Sequence, residues 1–343
     1  MNTISSSRPI AIWLLSGCFL IFCMVIIGGI TRLTGSGLSI TEWNVIMGAV
    51  PPLNDQEWQI AFEKYKQIPQ FTQVNSYFSI KDFKYIFWWE FIHRLTGRLI
   101  GIVFIVPFFW FLIRKKLDRS MLKKALFLFA LGGLQGFLGW FMVKSGLTER
   151  TSVSHIRLAI HFFTAFITYG FTFWFALPLI DKHRQEKHHP ELANLTRWIL
   201  GVLLVQLVYG AFVAGLHAGK MYNTFPLMNG KVIPDEAWVS LWGIENIFNN
   251  PATVQLIHRL LAFTLVILVS QLFISARKNR LDYSQQKPLN ALLVVVLLQF
   301  ILGVITVLYQ APLFWSSIHQ VNAFLLFTTV IWTLYRFSTP ATN

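Results

Sequence analysis

The sequence is poor in charge, in acidic residues and in cysteine. Only 13% of its 343 residues are charged, about half the usual share of a soluble domain. The two cysteines, Cys18 and Cys23, lie in a single apolar run, which excludes a disulfide framework. The 15 acidic residues stand against 29 basic ones. In so apolar a chain, that excess is typical of cytoplasmic loops, and we expect no nucleic-acid partner.

Apolar residues are abundant instead: 55% of the chain is hydrophobic and the mean hydropathy is +0.54. This excludes a disordered chain and argues against a soluble globule. A helix that crosses a membrane needs about 20 mostly apolar residues. We therefore predict an all-α integral membrane protein, surrounded by lipid, with eight spans at about 10–31, 90–113, 122–143, 155–180, 196–216, 253–275, 288–309 and 315–335.

Lysine and arginine set the predicted orientation. Three short loops hold 14 of them, whereas the loops on the other side, 32–89, 144–153 and 217–251, hold nine. Because cytoplasmic loops carry the positive excess, we predict that the short loops and both termini are cytoplasmic. The first span is predicted to be a retained anchor, and the long loops 32–89 and 217–251 to be interfacial covers. The short loops are 114–124, 181–197 and 277–287.

Landmarks of the first half recur in the second half in the same order. Residues 28–52 match residues 210–234 without a gap, at a constant offset of 182. Later matches follow at smaller offsets. Shared apolar composition does not place rare histidine and glutamine in register, so we predict an internal duplication. Matched pairs include Gly28 with Gly210, His93 with His258, Gln135 with Gln299, Gly139 with Gly303 and His161 with His319.

The duplication predicts two four-helix units with the same orientation in the membrane. Parallel repeats of this kind are related by a pseudo-twofold axis along the membrane normal. We predict an N-terminal unit at residues 1–180 and a C-terminal unit at residues 181–343.

Four histidines lie inside spans and also pair through the repeat: His93, His161, His258 and His319. Ionisable residues inside spans are costly, and they usually have a function. Zinc would need further N or S ligands. A carboxylate-bridged di-iron site would need a second Glu-x-x-His motif. Two histidines per unit suit a haem with two axial histidines best.

Arginines close to these histidines have two readings. Haem propionates need cationic partners, whereas long basic side chains near span ends also reach towards the membrane surface. The candidate propionate partners are Arg94, Arg98, Arg157 and Arg259.

One acid distinguishes the two halves. Glu90 lies three residues before His93, on the same helical face, and the matching residue before His258 is Gln255. This difference indicates chemistry at the first site and a resident cofactor at the second. The alternative is that Glu90 only pairs with Arg94, four residues later.

Taken together, these landmarks resemble the haem A synthase family. The stretches GGITRLTGSGLSITEW, EFIHRLTGR, SHIRLAIH, QLIHRL and IHQ occur in that family's order over nearly the whole chain. The resemblance is to the proteobacterial and mitochondrial type, which lacks cysteine pairs in the outer loops. It implies an enzyme of the bacterial inner membrane that oxidises the C8 methyl group of haem O to a formyl group.

The resemblance also implies roles for residues and partners. Glu90 would be the catalytic acid. An unidentified redox partner is implied, and haem O synthase is a candidate partner. The implied axial ligands are His93 and His161 for the substrate haem, and His258 and His319 for a haem b cofactor.

Two other classes remain open at this stage. A dihaem cytochrome b that only carries electrons would hold two reducible haems, but it does not explain Glu90 against Gln255. A transporter would also have parallel repeats, but it would have helices broken at mid-membrane.

Overall fold

The computed structural model describes residues 4–43, 47–147, 150–181 and 188–338. These ranges are predominantly helical and contain no β-strand. The α-helices are α1 (Ile4–Leu33), α2 (Asp55–Tyr65), α3 (Pro69–Gln73), α4 (Ile80–Ile113), α5 (Arg119–Gly146), α6 (His155–Ile180), α7 (Pro190–Gly215), α8 (Asn246–Asn249), α9 (Pro251–Ala276), α10 (Tyr283–Leu308) and α11 (Leu313–Phe337).

Eight of these helices are long and apolar enough to cross a membrane: α1, α4, α5, α6, α7, α9, α10 and α11. The predicted all-α membrane fold with eight spans is therefore confirmed, and the protein is a multi-pass membrane protein. The pseudo-twofold relation between the halves stays a prediction.

Helix α4 begins at Ile80, ten residues before the predicted span 90–113. A capping box fixes this start, because Ser79 and Asp82 each accept a hydrogen bond from the backbone N–H of the other. The added turns contain charged residues, so hydropathy did not detect them. Two of their aromatic residues, Phe83 and Phe87, are nevertheless buried.

These buried rings receive the amphipathic helix α2. Trp58 packs edge-on against Phe87 with ring centroids 4.9 Å apart, and Phe62 lies 5.2 Å from Phe83. Tyr65 completes the apolar face of α2 and is fully buried. Each such buried aromatic contributes about 1.5–3 kcal/mol. The first long loop is thus a packed cover on α4.

The second long loop is held by asparagines. Asn246 donates hydrogen bonds to the carbonyls of Val239 and Gly243, at 2.8 and 2.9 Å. Asn250 caps α9 by accepting a hydrogen bond from the Ala252 amide at 2.9 Å. These bonds satisfy backbone groups that irregular structure would otherwise leave unpaired.

The chain divides into two compact units. The first unit comprises Leu15–Tyr169, and the second comprises Met1–Leu14 with Gly170–Asn343. In the first unit, α4 packs against α2 and α5. In the second, α7 packs against α9, and α10 packs against both α9 and α11. The predicted functional division at residues 180 and 181 rests on the repeat and stays a prediction.

Candidate functional site

The structure brings the four predicted histidines together as two pairs, one in each unit. His93 on α4 interacts electrostatically with His161 on α6, and His258 on α9 interacts with His319 on α11. Within the described residues, no three His, Cys, Asp or Glu side chains cluster as a metal site. Each unit therefore offers two imidazoles to a ligand.

Each imidazole lies against a helical glycine. A Cβ atom built at these glycines would fall 3.1–3.4 Å from the nearest imidazole atom, closer than ordinary carbon contacts of about 3.5–4.0 Å. A side chain at any of these glycines would therefore press on the imidazole, which would have to give by up to a few tenths of an ångström. The pairs are Gly28 with His93, Gly139 with His161, Gly210 with His258 and Gly303 with His319.

Buried imidazole nitrogens are available at both sites. The Nδ1 atoms of His161, His258 and His319 have no hydrogen-bond partner within the described part of the chain. Buried polar atoms normally have a partner, and an unpaired one needs an explanation. Two such rings, each set against bare helix backbone, fit a haem, whose iron histidines can hold.

In the part of the chain that the structure describes, glutamine side chains approach the second pair and not the first. Nε2 of Gln206 lies 3.4 Å from Nε2 of His258, and Nε2 of Gln299 lies 3.3 Å from Nε2 of His319. Asn322 orients the second amide, because its Nδ2 donates to the Val295 carbonyl and to Oε1 of Gln299. The amide nitrogen of Gln299 therefore faces the imidazole.

In the first unit, the matching glutamine is turned away from its histidine. Nε2 of Gln135 donates to Oγ1 of Thr164 at 2.5 Å. The Thr164 hydroxyl donates in turn to the Ile160 carbonyl at 2.8 Å, so it can only accept from the amide. Thr164 and Asn322 occupy matching positions at the offset of 158. The matching glutamines therefore contact a threonine hydroxyl in the first unit and an imidazole in the second.

Glu90 is buried on α4, with 3% of its surface exposed, and both of its oxygens accept hydrogen bonds. Oε2 accepts from the Ser39 hydroxyl at 2.8 Å and from the Ile40 amide at 2.9 Å. Oε1 accepts from Nε and Nη2 of Arg94, at 3.1 and 2.6 Å. The ion pair anticipated at i, i+4 is thus present, together with two donors from the outer loop.

Arg94 and Arg259 hold the outer loops of their units through equivalent contacts. Arg94 donates to the carbonyls of Ile40 and Glu42, at 2.9 and 2.7 Å. Arg259 donates to the carbonyls of Tyr222 and Thr224, at 2.7 and 2.9 Å. These acceptors differ by 182 residues, the offset of the duplicated segment.

Gln255 takes the place of Glu90 in the second unit, but it makes a different contact. Its Nε2 donates to the Tyr222 carbonyl at 3.1 Å. Its Oε1 and the Nε of Arg259 are buried without a hydrogen-bond partner among the residues that the structure describes. A carboxylate that accepts hydrogen bonds is therefore replaced by an amide that donates one.

Comparison with known proteins identifies the family. The family model described as cytochrome oxidase assembly protein matches residues 11–331. This chain belongs to that family. It is 46% identical to the heme A synthase of Flavobacterium johnsoniae, over 97% of this chain and 98% of the relative. It is 45% identical to the heme A synthase of Nitrosomonas eutropha, over 96% and 94%. The corresponding protein of Paramagnetospirillum magneticum is 42% identical, over 96% and 93%.

Arg157 and Arg98, the other two candidate propionate partners, make contacts unlike those of Arg94 and Arg259. Arg157 donates to the Phe141 carbonyl at 3.0 Å and its guanidinium lies 3.9 Å from the centroid of the Phe141 ring. Arg98 follows Arg94 by one turn of α4 and interacts electrostatically with it. The roles of Arg94, Arg98, Arg157 and Arg259 towards propionates stay predictions.

The sequence patterns did not indicate the contacts of four polar side chains described above: Ser39, Gln206, Asn322 and Thr164. Their roles depend on the fold, since each acts on a residue at least 20 positions away or on a neighbouring helix. The four glycines were detectable, because the duplication retains them in matching pairs.

Outside the spans, Tyr222 and Glu236 form a titratable pair beside the second site. The Tyr222 hydroxyl donates to Oε2 of Glu236 at 2.8 Å. Burial, together with this acid, raises the pKa of Tyr222 to about 12. Hydrogen bonds from its own backbone amide and from Tyr222 lower the pKa of Glu236. Tyr222 also presents its carbonyl to Arg259, so the pair helps to fix this loop.

Proposed function

We propose that this protein is a haem A synthase, which oxidises the C8 methyl group of haem O to a formyl group and so gives haem A for terminal oxidases. The observation that carries this proposal is the presence of two histidine pairs, each set against glycines, with the buried acid Glu90 one helical turn from the first pair and the amide Gln255 at the matching position of the second. The names of the relatives and the family match support the same function.

At the proposed substrate site, His93 and His161 would hold haem O through its iron. Bound haem supplies the iron and the oxidisable methyl group. The residues of the chain hold the haem ring, exclude water and position a charged group beside it. Glu90 carries out this last role: it sits one helical turn from His93, and its orientation is fixed by Ser39, Ile40 and Arg94.

At the second site, we propose that His258 and His319 hold a resident haem b. Gln255 cannot supply negative charge, so this site lacks the group proposed to act in the oxidation. Two features suit retention of a cofactor there: the unpaired Nδ1 atoms of both histidines, and the buried Nε of Arg259, which can donate to a propionate.

A dihaem cytochrome b that only transfers electrons is not favoured. Electron transfer does not require a buried acid beside one haem and an amide beside the other. In such a protein, the four hydrogen bonds that hold Glu90 in place would serve no function.

The proposal places the protein in the inner membrane of a bacterium with both termini in the cytoplasm. The density of basic residues in the loops 114–124 and 277–287 supports this orientation. A redox partner and haem O synthase are the proposed protein partners.

Pigment extraction tests the proposal. The protein is expressed in a host that makes haem O but no haem A, and the extracted haems are separated by chromatography. Accumulation of haem A is expected. Two bound, reducible haems, with neither haem A nor a hydroxylated intermediate in the extract, would instead support the electron carrier.

The substitution Glu90→Gln tests the proposed acid. It copies the chemistry of Gln255 and is nearly isosteric, so the fold and the second-site haem should be retained. We expect haem A formation to fall by about 10²-fold or more, the usual effect of losing a catalytic acid or base. Glu63→Gln, the same change at an exposed acid of α2, serves as the control and should leave haem A formation near the wild-type level. Wild-type turnover in Glu90→Gln would return Glu90 to a structural role.

A further inference from the structure

Residues 36–43 form a segment, here called the strap, that folds back over α4. Leu38 anchors it in the aromatic core and packs so closely on Gly146 that a Cβ added to this glycine would lie 2.7 Å from Cδ2 of Leu38. At its end, Arg94 lies over the Trp43 ring, 4.8 Å from the centroid. Because both parts are packed, the strap has a defined position relative to Glu90.

Ser39 is the strap residue whose side chain contacts Glu90. It is 2% exposed. Its hydroxyl lies 2.8 Å from Oε2 of Glu90 and 3.3 Å from the Ile86 carbonyl. A serine hydroxyl has one proton to donate, and the shorter contact to the charged acceptor is the stronger bond. The Ser39 hydroxyl therefore donates its hydrogen bond to the Glu90 carboxylate.

We propose that Ser39 is a positioning residue for Glu90, which holds the carboxylate in one orientation through its hydroxyl and the neighbouring Ile40 amide. This inference rests on the proposed function, in which Glu90 is the acid of the substrate site. With two donors on each oxygen, rotation of the carboxylate about its terminal bond breaks hydrogen bonds on both sides. Ser39 thus fixes the oxygen that Arg94 does not hold.

The second unit supplies an internal comparison. The position that matches Ser39 is Met221, which is exposed, and the position that matches Glu90 is Gln255. Arg259 still holds the matching loop. The serine and the acid are therefore replaced together, while the arginine that holds the loop is kept. This pattern is expected if Ser39 serves the acid rather than the loop.

Three substitutions test the role of the hydroxyl. Ser39→Ala removes it, Ser39→Thr keeps it, and Ser39→Cys replaces it with a weak donor of similar shape. Ser145→Ala is the matched control, because it removes a partly buried hydroxyl of the same unit that donates to the Met142 carbonyl. Retention of the second-site haem b reports that each variant is folded.

Two measurements are made on the purified protein. The first is haem A formation at varied haem O. We expect kcat to fall about tenfold in Ser39→Ala, less in Ser39→Cys and little in Ser39→Thr, with KM unchanged. The second is the infrared carboxylate band that disappears in Glu90→Gln. Its frequency should shift in Ser39→Ala, return in Ser39→Thr and stay unchanged in Ser145→Ala.

The outcomes separate the two hypotheses. If Glu90→Gln turns over normally, the proposed role of Glu90 fails, whatever Ser39 does. If Glu90→Gln is inactive while Ser39→Ala keeps both its kcat and its infrared band, only the positioning role is refuted. A rise in KM alone would also overturn it, because that result assigns Ser39 to substrate binding.

Discussion

A methyl group added at Gly210 should weaken haem binding at the second site without weakening its helix. Gly210 lies inside α7, where the Cβ of an alanine would fall 3.3 Å from Cε1 of His258. Ordinary carbon contacts are about 3.5–4.0 Å, so the ring must move by about 0.2–0.7 Å. Ligands generally need positions correct to about 0.5 Å. We therefore expect Gly210→Ala to weaken haem binding.

The size of the effect follows from the cost of moving the ring. An imidazole pushed away from its preferred rotamer costs about 0.5–1.5 kcal/mol, which corresponds to about a two- to tenfold loss of affinity. The same substitution favours the helix by up to about 1 kcal/mol, because alanine is the better helix former. Thermal stability of the haem-free protein should thus stay level or rise while the affinity for haem falls.

Gly201→Ala is the control, because Gly201 lies on the same helix and an added Cβ would meet no atom within 4 Å. Gly303→Ala should have a larger effect than Gly210→Ala, since its Cβ would lie only 3.1 Å from Cε1 of His319. Haem per protein and the low-spin absorbance spectrum are measured after purification. Equal haem content in Gly201→Ala and Gly210→Ala would refute the close-contact explanation.

Three further predictions concern ligation, topology and pH. His258→Ala or His319→Ala should remove the resident haem b, measured by reduced-haem absorbance; full retention in both variants would contradict the assignment. A cysteine placed in the loop 277–287 should resist an impermeant thiol reagent in intact cells, and ready labelling would invert the topology. Because hydrogen bonds lower the pKa of Glu236, its contribution to stability is present above the ordinary value of 4.5 and is lost as the pH falls through the lowered value. The Tm difference between wild type and Glu236→Gln should therefore shrink in acid, as should that of Tyr222→Phe, and a difference independent of pH would refute the pairing.

The eight spans were predictable because hydropathy and length determine which segments can cross a membrane. The extension of α4 was not, since it is stabilised by the capping box at Ser79 and by rings of α2 rather than by its own hydropathy. Element ends are set by such local contacts, which a search for apolar runs does not detect.

The histidine pairs were predictable because the duplication keeps them in register. The surroundings of Glu90 were only half predictable: its spacing to Arg94 on one helix indicated the ion pair, but Ser39 reaches it from 51 residues away through the fold of the strap. The contact of Gln299 with His319 was equally hidden, because it depends on how Asn322 orients the amide.

The two units together bear on whether Glu90 is present only to hold the outer loop. In the second unit, Arg259 holds the matching loop through two carbonyls, and Gln255 adds a third bond without any carboxylate. A buried carboxylate is costly, and here it requires four donors to be satisfied. If holding the loop were its whole role, an amide would suffice, as it does in the second unit. The retention of an acid at position 90 therefore favours a role in the chemistry of the first site, and it is this role that Glu90→Gln removes while leaving an amide able to bind the strap.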